Sequence, residues 1–333
     1  MSDVTLNNFN AATFSAIPAL VQRLADQDAS TRRLALIELA DEEDEAYLPL
    51  LIAGVSDNDP AVRAEAARLL AGYENAAVVD ALTQALLDSD LAVRTASAES
   101  LFELKTRAAG LRLLPFLEHS DPFVSASALH AIRELRIEEA AASALNLLTH
   151  TDAKIRREAI GVLGWLKYTD ALSQLSALAT NDDNAEVRRA AVGALGMATH
   201  QDVLPALRSA LRDSAWNVRE EAAATLAKLK LPASVDDLLH ALDDDYWQVR
   251  LLAARALGRI GNRDAVPKLI LALQHSISNV RKEAAIALGE IGASEAYDAL
   301  AQAAVDPDPD VRKMARLALT LVSPRETPAE TRS

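Results

Sequence analysis

Arginine recurs on a fixed beat along this chain, at Arg32, Arg63, Arg94, Arg156, Arg188, Arg219, Arg250, Arg281 and Arg312. Each follows a β-branched residue, and Ser125 fills the one position where the beat lacks its guanidinium. Such a row could contact an anion, or each arginine could bond the aspartates and carbonyls of neighbouring turns. The regularity favours the second use, because a ligand site would be local. Six residues before the column stand Asp26, Asp57, Asp88, Asp182, Asp213, Asp244 and Asp306, and His119, His150 and His275 take that place in the remaining units. His119 and His150 belong to adjacent units, roughly 10 Å apart by ordinary helix spacing. A shared metal would need them closer and would need further ligands, so they read as solvated turn residues. The carboxylate runs Asp41–Glu45 and Asp243–Asp245 read as solvated loops or helix starts rather than calcium sites. With no cysteine there is no thiolate metal site, cysteine nucleophile or disulfide. No catalytic constellation emerges, and neither a metal nor a cofactor is expected.

The aromatic residues are more local. Trp216 and Trp247 occupy one column, three before the arginine, in successive units, and Tyr246 stands beside Trp247. Elsewhere that column holds Ala, Pro, Leu or Ser, so the fold does not demand an aromatic there. Exposed Trp and Tyr are enriched at the centres of protein interfaces; the competing reading lays each ring over a neighbouring helix end. A second local feature lies at offsets +1, +5, +9 and +12 from the arginine. The +9 position runs Asp41, Gly72, Glu103 and Glu134, then Trp165, Met197, Lys228 and Arg259. Arg255 stands at +5 and Tyr168 at +12. This predicts a groove that is acidic toward the N-terminus, then apolar, then basic, suited to a docked helix or tail. The candidate partner-binding residues are therefore Trp165, Tyr168, Met197, Trp216, Lys228, Tyr246, Trp247, Arg255 and Arg259.

The elements that carry these residues follow from the period. The beat is 31 residues, with one step of 32 between Arg156 and Arg188 that the polar run Asn181–Asn184 can absorb. Around the arginine, β-branched residues stand at −1, small residues at +3 and Leu or Ile at +7. At about 100° per residue these offsets share one side of a helix. Asp59, Asp90, Asp121, Asp152 and Asp308 are placed to cap that helix, with Pro60, Pro122 and Pro309 at its first position and Gly261 and Gly292 at its end. A preceding helix carries the pairs Leu51/Val55, Leu82/Leu86, Leu207/Leu211, Leu238/Leu242 and Leu269/Leu273. Gly164, Gly196, Gly258 and Gly289 at +8 predict close helix approach. One hairpin cannot bury both faces, so copies must stack.

Stretches such as DPAVRAEAARLLAG (59–72) and NVRKEAAIALGEIG (279–292) resemble the HEAT-like repeat family, in the short form found in phycobilin lyase subunits. The resemblance covers residues 15–322 and implies an all-α fold, an α-solenoid of about ten two-helix repeats. Residues 1–14 are expected to be a polar lead-in and 323–333 a disordered tail. The family includes enzymes and scaffolds alike. The iron-binding His-Glu pairs of deoxyhypusine hydroxylase are absent here, as are the cysteines that hold the clusters of epoxyqueuosine reductase. The net charge of −14 disfavours the cationic face of the helical-repeat DNA glycosylases, and nucleic-acid binding in general. No apolar run reaches membrane-spanning length and the N-terminus lacks a signal-peptide pattern, so a cytoplasmic protein with no membrane contact is expected. The function expected is a non-catalytic scaffold, an assembly or maturation factor binding a protein partner. The alternative is a subunit of a phycobilin-lyase-like enzyme acting on a cofactor-bearing protein.

Overall fold

A computed structural model describes residues 17–322. The lead-in over 1–14, the helix start near Ser15 and the tail over 323–333 lie outside the described residues. The chain divides into two compact units at Leu166/Lys167. Unit one holds five hairpins: α1 (Pro18–Leu24) with α2 (Ala29–Asp41), α3 (Leu48–Gly54) with α4 (Pro60–Leu69), α5 (Ala76–Ala85) with α6 (Leu91–Phe102), α7 (Arg107–Leu111) with α8 (Pro122–Ile132), and α9 (Ala141–Leu147) with α10 (Ala153–Leu166). Unit two holds five more: α11 (Leu172–Asn181) with α12 (Ala185–Ala194), α13 (Leu204–Ala210) with α14 (Trp216–Leu229), α15 (Val235–Ala241) with α16 (Trp247–Ile260), α17 (Val266–Ala272) with α18 (Ser278–Ile291), and α19 (Tyr297–Ala303) with α20 (Pro309–Leu321). Among the described residues there is no strand, and no helix is long and apolar enough to cross a membrane.

Each unit is a solenoid stack. The second helix of each hairpin packs on the second helix of the next, from α2 to α10 in unit one and from α12 to α20 in unit two. The periodic columns are what they bury. Val62, Val93, Val187, Val218 and Val249 at −1 are fully inaccessible, as are Leu101, Leu226, Leu257 and Leu288 at +7. Burying a leucine or valine fully stabilises by about 1.5–3 kcal/mol. The five predicted leucine and valine pairs of the first helices are buried too. The first helices are shorter than the pattern suggests. Most begin as a 3₁₀ turn, such as Glu45–Tyr47 before α3 and Arg263–Ala265 before α17, and continue as a seven-residue α-helix.

The predicted helix ends hold. Asp59, Asp90, Asp121 and Asp308 accept backbone N–H bonds from the first turn of their helices, and Asp152 accepts from Lys154. Asp28 and Asn184 do the same for α2 and α12. Gly261 and Gly292 end α16 and α18 at φ +76° and +68°. Two of the +8 glycines mark close approach, as expected. A Cβ on Gly258 would lie 2.7 Å from the Cα of Ala287, and one on Gly289 would lie 3.0 Å from the Cα of Ala318.

Candidate functional site

The arginine column is a ladder. Arg63 Nε and Nη2 bond both carboxylate oxygens of Asp88 at 2.7 and 2.8 Å, and its Nη1 donates to the carbonyls of Asp57 and Asn58. The same fork joins Arg32 to Asp57, Arg188 to Asp213, Arg219 to Asp244 and Arg281 to Asp306. Each of these aspartates also accepts an N–H from two residues ahead, so one carboxylate shapes its own turn and receives the preceding hairpin's arginine. Burial alone would push Asp88, Asp213 and Asp244 up, but the arginine and backbone donors outweigh it and hold all three below the usual carboxylate range. Histidine makes a poorer rung. His119, His150 and His275 each keep the turn, their Nδ1 accepting the N–H two residues ahead. Arg94, opposite the His119 turn, reaches Asp121 with one nitrogen and leaves its Nε buried without a partner.

The turn edge of unit two departs from this regularity. Where other second helices begin with a capping Asp or Asn, α14, α16 and α18 begin after Ala215, Tyr246 and Ile277 and have no side-chain cap. Losing such a cap costs about 1 kcal/mol per helix. In its place stands an apolar ridge. Trp216, half-buried, stacks on Tyr246 with ring centroids 5.4 Å apart and planes 11° from parallel. The Arg219 guanidinium, fixed by Asp244, lies 5.6 Å from the Tyr246 ring. Tyr246, Trp247 and Ile277 remain 36–44% exposed. Asp245, also exposed, stands next to Tyr246.

A second feature, in unit one, was not foreseen. A groove of about 440 Å³ is lined by α6, α8 and α10. On its floor Phe102 stacks on His130 at 4.3 Å. His130 Nδ1 is 2.9 Å from Glu158 Oε2, and Arg157 donates to Glu158 Oε1 at 2.8 Å. Glu158 is 2% exposed. Burial would push its carboxyl up, but His130 and Arg157 more than compensate and hold it below the usual range.

The residues expected to bind a partner scatter. Trp165, near the end of α10 in unit one, is 42% exposed. Tyr168 is not on the second-helix face as its +12 offset implied. Lys167 adopts φ +54° after α10 ends, and Tyr168 precedes the 3₁₀ turn Thr169–Ala171 of unit two. Met197 is half-buried in a 3₁₀ turn that follows α12. The expected basic patch is a mixed-charge cluster instead. Arg255 forks onto the buried Glu283 at 2.8 and 2.9 Å, and burial pushes Glu290 up despite the nearby Arg259. Lys228 is exposed but folds its side chain toward Gly196, where an added Cβ would meet its Nζ at 3.3 Å. Trp216 and Tyr246 do come together, with Trp247 the next residue in the chain. Among the described residues no group of three or more His, Asp or Glu side chains is arranged to hold a metal.

The HEAT-repeat family model matches residues 17–107, 111–196, 175–251 and 235–320. Comparison with curated proteins gives no match. Among solved structures, an engineered protein is similar at 23% identity over 94% of this chain and 99% of its own, with TM-score 0.54. The Escherichia coli protein YibA is similar at 19% identity over 89% and 98%, with TM-score 0.52. Kap95p, in a complex with RanGDP, is similar at 16% identity with TM-score 0.67; the match covers 94% of this chain and 52% of that one, so this chain spans about half its length. At these identities the likeness is one of fold.

Proposed function

Because this chain belongs to the HEAT-repeat family, we propose that it is a protein-binding repeat scaffold that takes its partner on the turn edge of α14, α16 and α18. One observation carries the reading: three successive helices forgo their caps, and at α16 and α18 an exposed side chain, Tyr246 or Ile277, stands in the cap position instead. Packing does not account for that exchange in full, since Tyr246, Trp247 and Ile277 keep 36–44% of their surface accessible. Rigid aromatic side chains with little rotamer freedom make effective anchors for a protein surface. The exposed Asp245 beside them favours a partner with an apolar anchor and a basic rim. Kap95p, similar in fold, is itself seen with a bound protein, RanGDP.

The test is quantitative capture with the full chain as bait. Partners held by the wild-type protein should fall several-fold with Tyr246→Ala/Trp247→Ala. They should be retained by Leu271→Ala, which removes a still more exposed apolar group from α17. Circular dichroism confirms that both variants are folded. Equal capture by wild type and the double variant rejects the edge as the site.

A further inference from the structure

The groove of unit one has a fixed floor and oppositely charged walls. Phe102 is held by its stack on His130, His130 by Glu158, and Glu158 in turn by Arg157. Packing and hydrogen bonding thus fix the aromatic surface, which still keeps 42% of Phe102 exposed. On the α6 wall stand Glu99 and Glu103, one helical turn apart and both exposed. Neither has a hydrogen-bond or ion-pair partner among the described residues. Like charges four apart disfavour the helix that carries them, and no cation of the described chain relieves this pair. On the α10 wall Arg157 is engaged by Glu158. Lys154 has no carboxylate, and its ammonium lies 5.8 Å from the Phe123 ring.

We propose that this groove binds an arginine side chain of a partner polypeptide, with an acidic residue of the same segment reaching Lys154. Two carboxylates one turn apart beside an exposed ring match a guanidinium. Its planar face lies on Phe102 while its fork of N–H donors reaches both glutamates. Lysine fits less well, because a compact ammonium cannot stack flat and bond two separate carboxylates at once. The unpaired Lys154 opposite supplies the second half of the recognition and sets the segment's direction across the groove. This surface is separate from the turn edge of unit two, so either assignment can fail alone.

The test selects random dodecapeptides displayed on phage against the full chain, with the Glu99→Lys/Glu103→Lys variant as counter-target. Selected peptides should carry an arginine with an acidic residue within the next few positions, and should be lost on the variant. In titration calorimetry with one such synthetic peptide, replacing its arginine by citrulline should weaken binding about tenfold. Lys154→Glu should weaken it less, and changing the peptide's acidic residue to lysine should restore it, a rescue that misfolding cannot mimic. Peptides without arginine, equal binding to wild type and variant, or no groove-dependent peptide at all would each overturn the proposal.

Discussion

The second helices of unit one and those of α14–α18 start at the same point of the repeat and solve it in opposite ways. In α4, α6 and α8 an aspartate ends the turn and bonds the first helical N–H groups, and a proline follows in two of the three. In α14, α16 and α18 the equivalent residues are Ala215, Tyr246 and Ile277, and no side chain caps the helix. Beneath both edges the core is the same. Val93 and Val249 are fully buried, and so are Leu101 and Leu257. The difference teaches that the repeat separates two tasks: the inner columns hold the stack upright, while the turn edge is free to be given up to another use.

If that separation is real, core truncation should be blind to which edge lies above it. Leu101→Ala in α6 and Leu257→Ala in α16 remove equally buried side chains from the same column. Each should cost about 2–5 kcal/mol in urea denaturation, because each leaves a cavity that neighbouring helices only partly fill. A near-silent result at Leu257 alone would break the comparison, showing that the α14–α18 region is loosely packed as well as uncapped.

The edges themselves should respond in opposite directions, with smaller amplitude. Asp90→Ala removes the cap of α6 and should cost about 1 kcal/mol. Ile277→Asp supplies a cap to α18 and should stabilise by up to about 1 kcal/mol. A helix whose stability rises when an apolar residue is exchanged for the commoner one carries that residue for some reason other than folding. Should Ile277→Asp destabilise, Ile277 would be packing its own fold, and the edge would lose one of its members.

Repetition decides which of these features the sequence exposes. The arginine rungs, the caps, the buried columns and the Gly258 and Gly289 contacts recur at one offset, so aligning the copies reveals them. The groove of unit one escapes that method because its parts stand at different offsets in successive hairpins: Phe102 at +8, His130 at +5 and Glu158 at +2. A signal was present all the same. Phe102 and Arg133 are bulky in a column that is otherwise mostly Gly or Ala. The pairing of a +5 residue with a glutamate at +2 of the next helix joins His130 to Glu158 and Arg255 to Glu283 alike. Reading along the exposed face, without this diagonal, is what made Arg255 look like a free cation. The turn edge was legible because Trp216 and Trp247 violate a column, but their mutual geometry was not. Only the folded chain shows that Trp216 is half-buried against Tyr246.

The finest contrast lies between two neighbouring rungs of unit two. Arg219 meets a carboxylate, Asp244, with two bonds. Arg250, one hairpin later, meets His275, with its Nη1 3.1 Å from Nε2. The other ring nitrogen accepts the N–H of Ile277, so both nitrogens of His275 face donors, and the Arg281 guanidinium bonds its carbonyl oxygen. A neutral imidazole has one acceptor nitrogen and a protonated one has none. Burial, and then the charge of Arg250, push the His275 pKa below its ordinary value. The unfolded chain, titrating near about 6.5, therefore binds a proton that the folded chain refuses. Stability is fully present above that pH and declines as pH falls toward the lower folded value. His275→Asp should remove this dependence and supply the missing carboxylate. Urea melts at pH 7.5, 6.5 and 5.5 should show the variant gaining on the wild type at each step down, by less than the edge substitutions change. The remaining histidines cancel in that difference. Parallel curves for the two proteins would mean that Arg250 is satisfied without His275, and that the two rungs are equivalent after all.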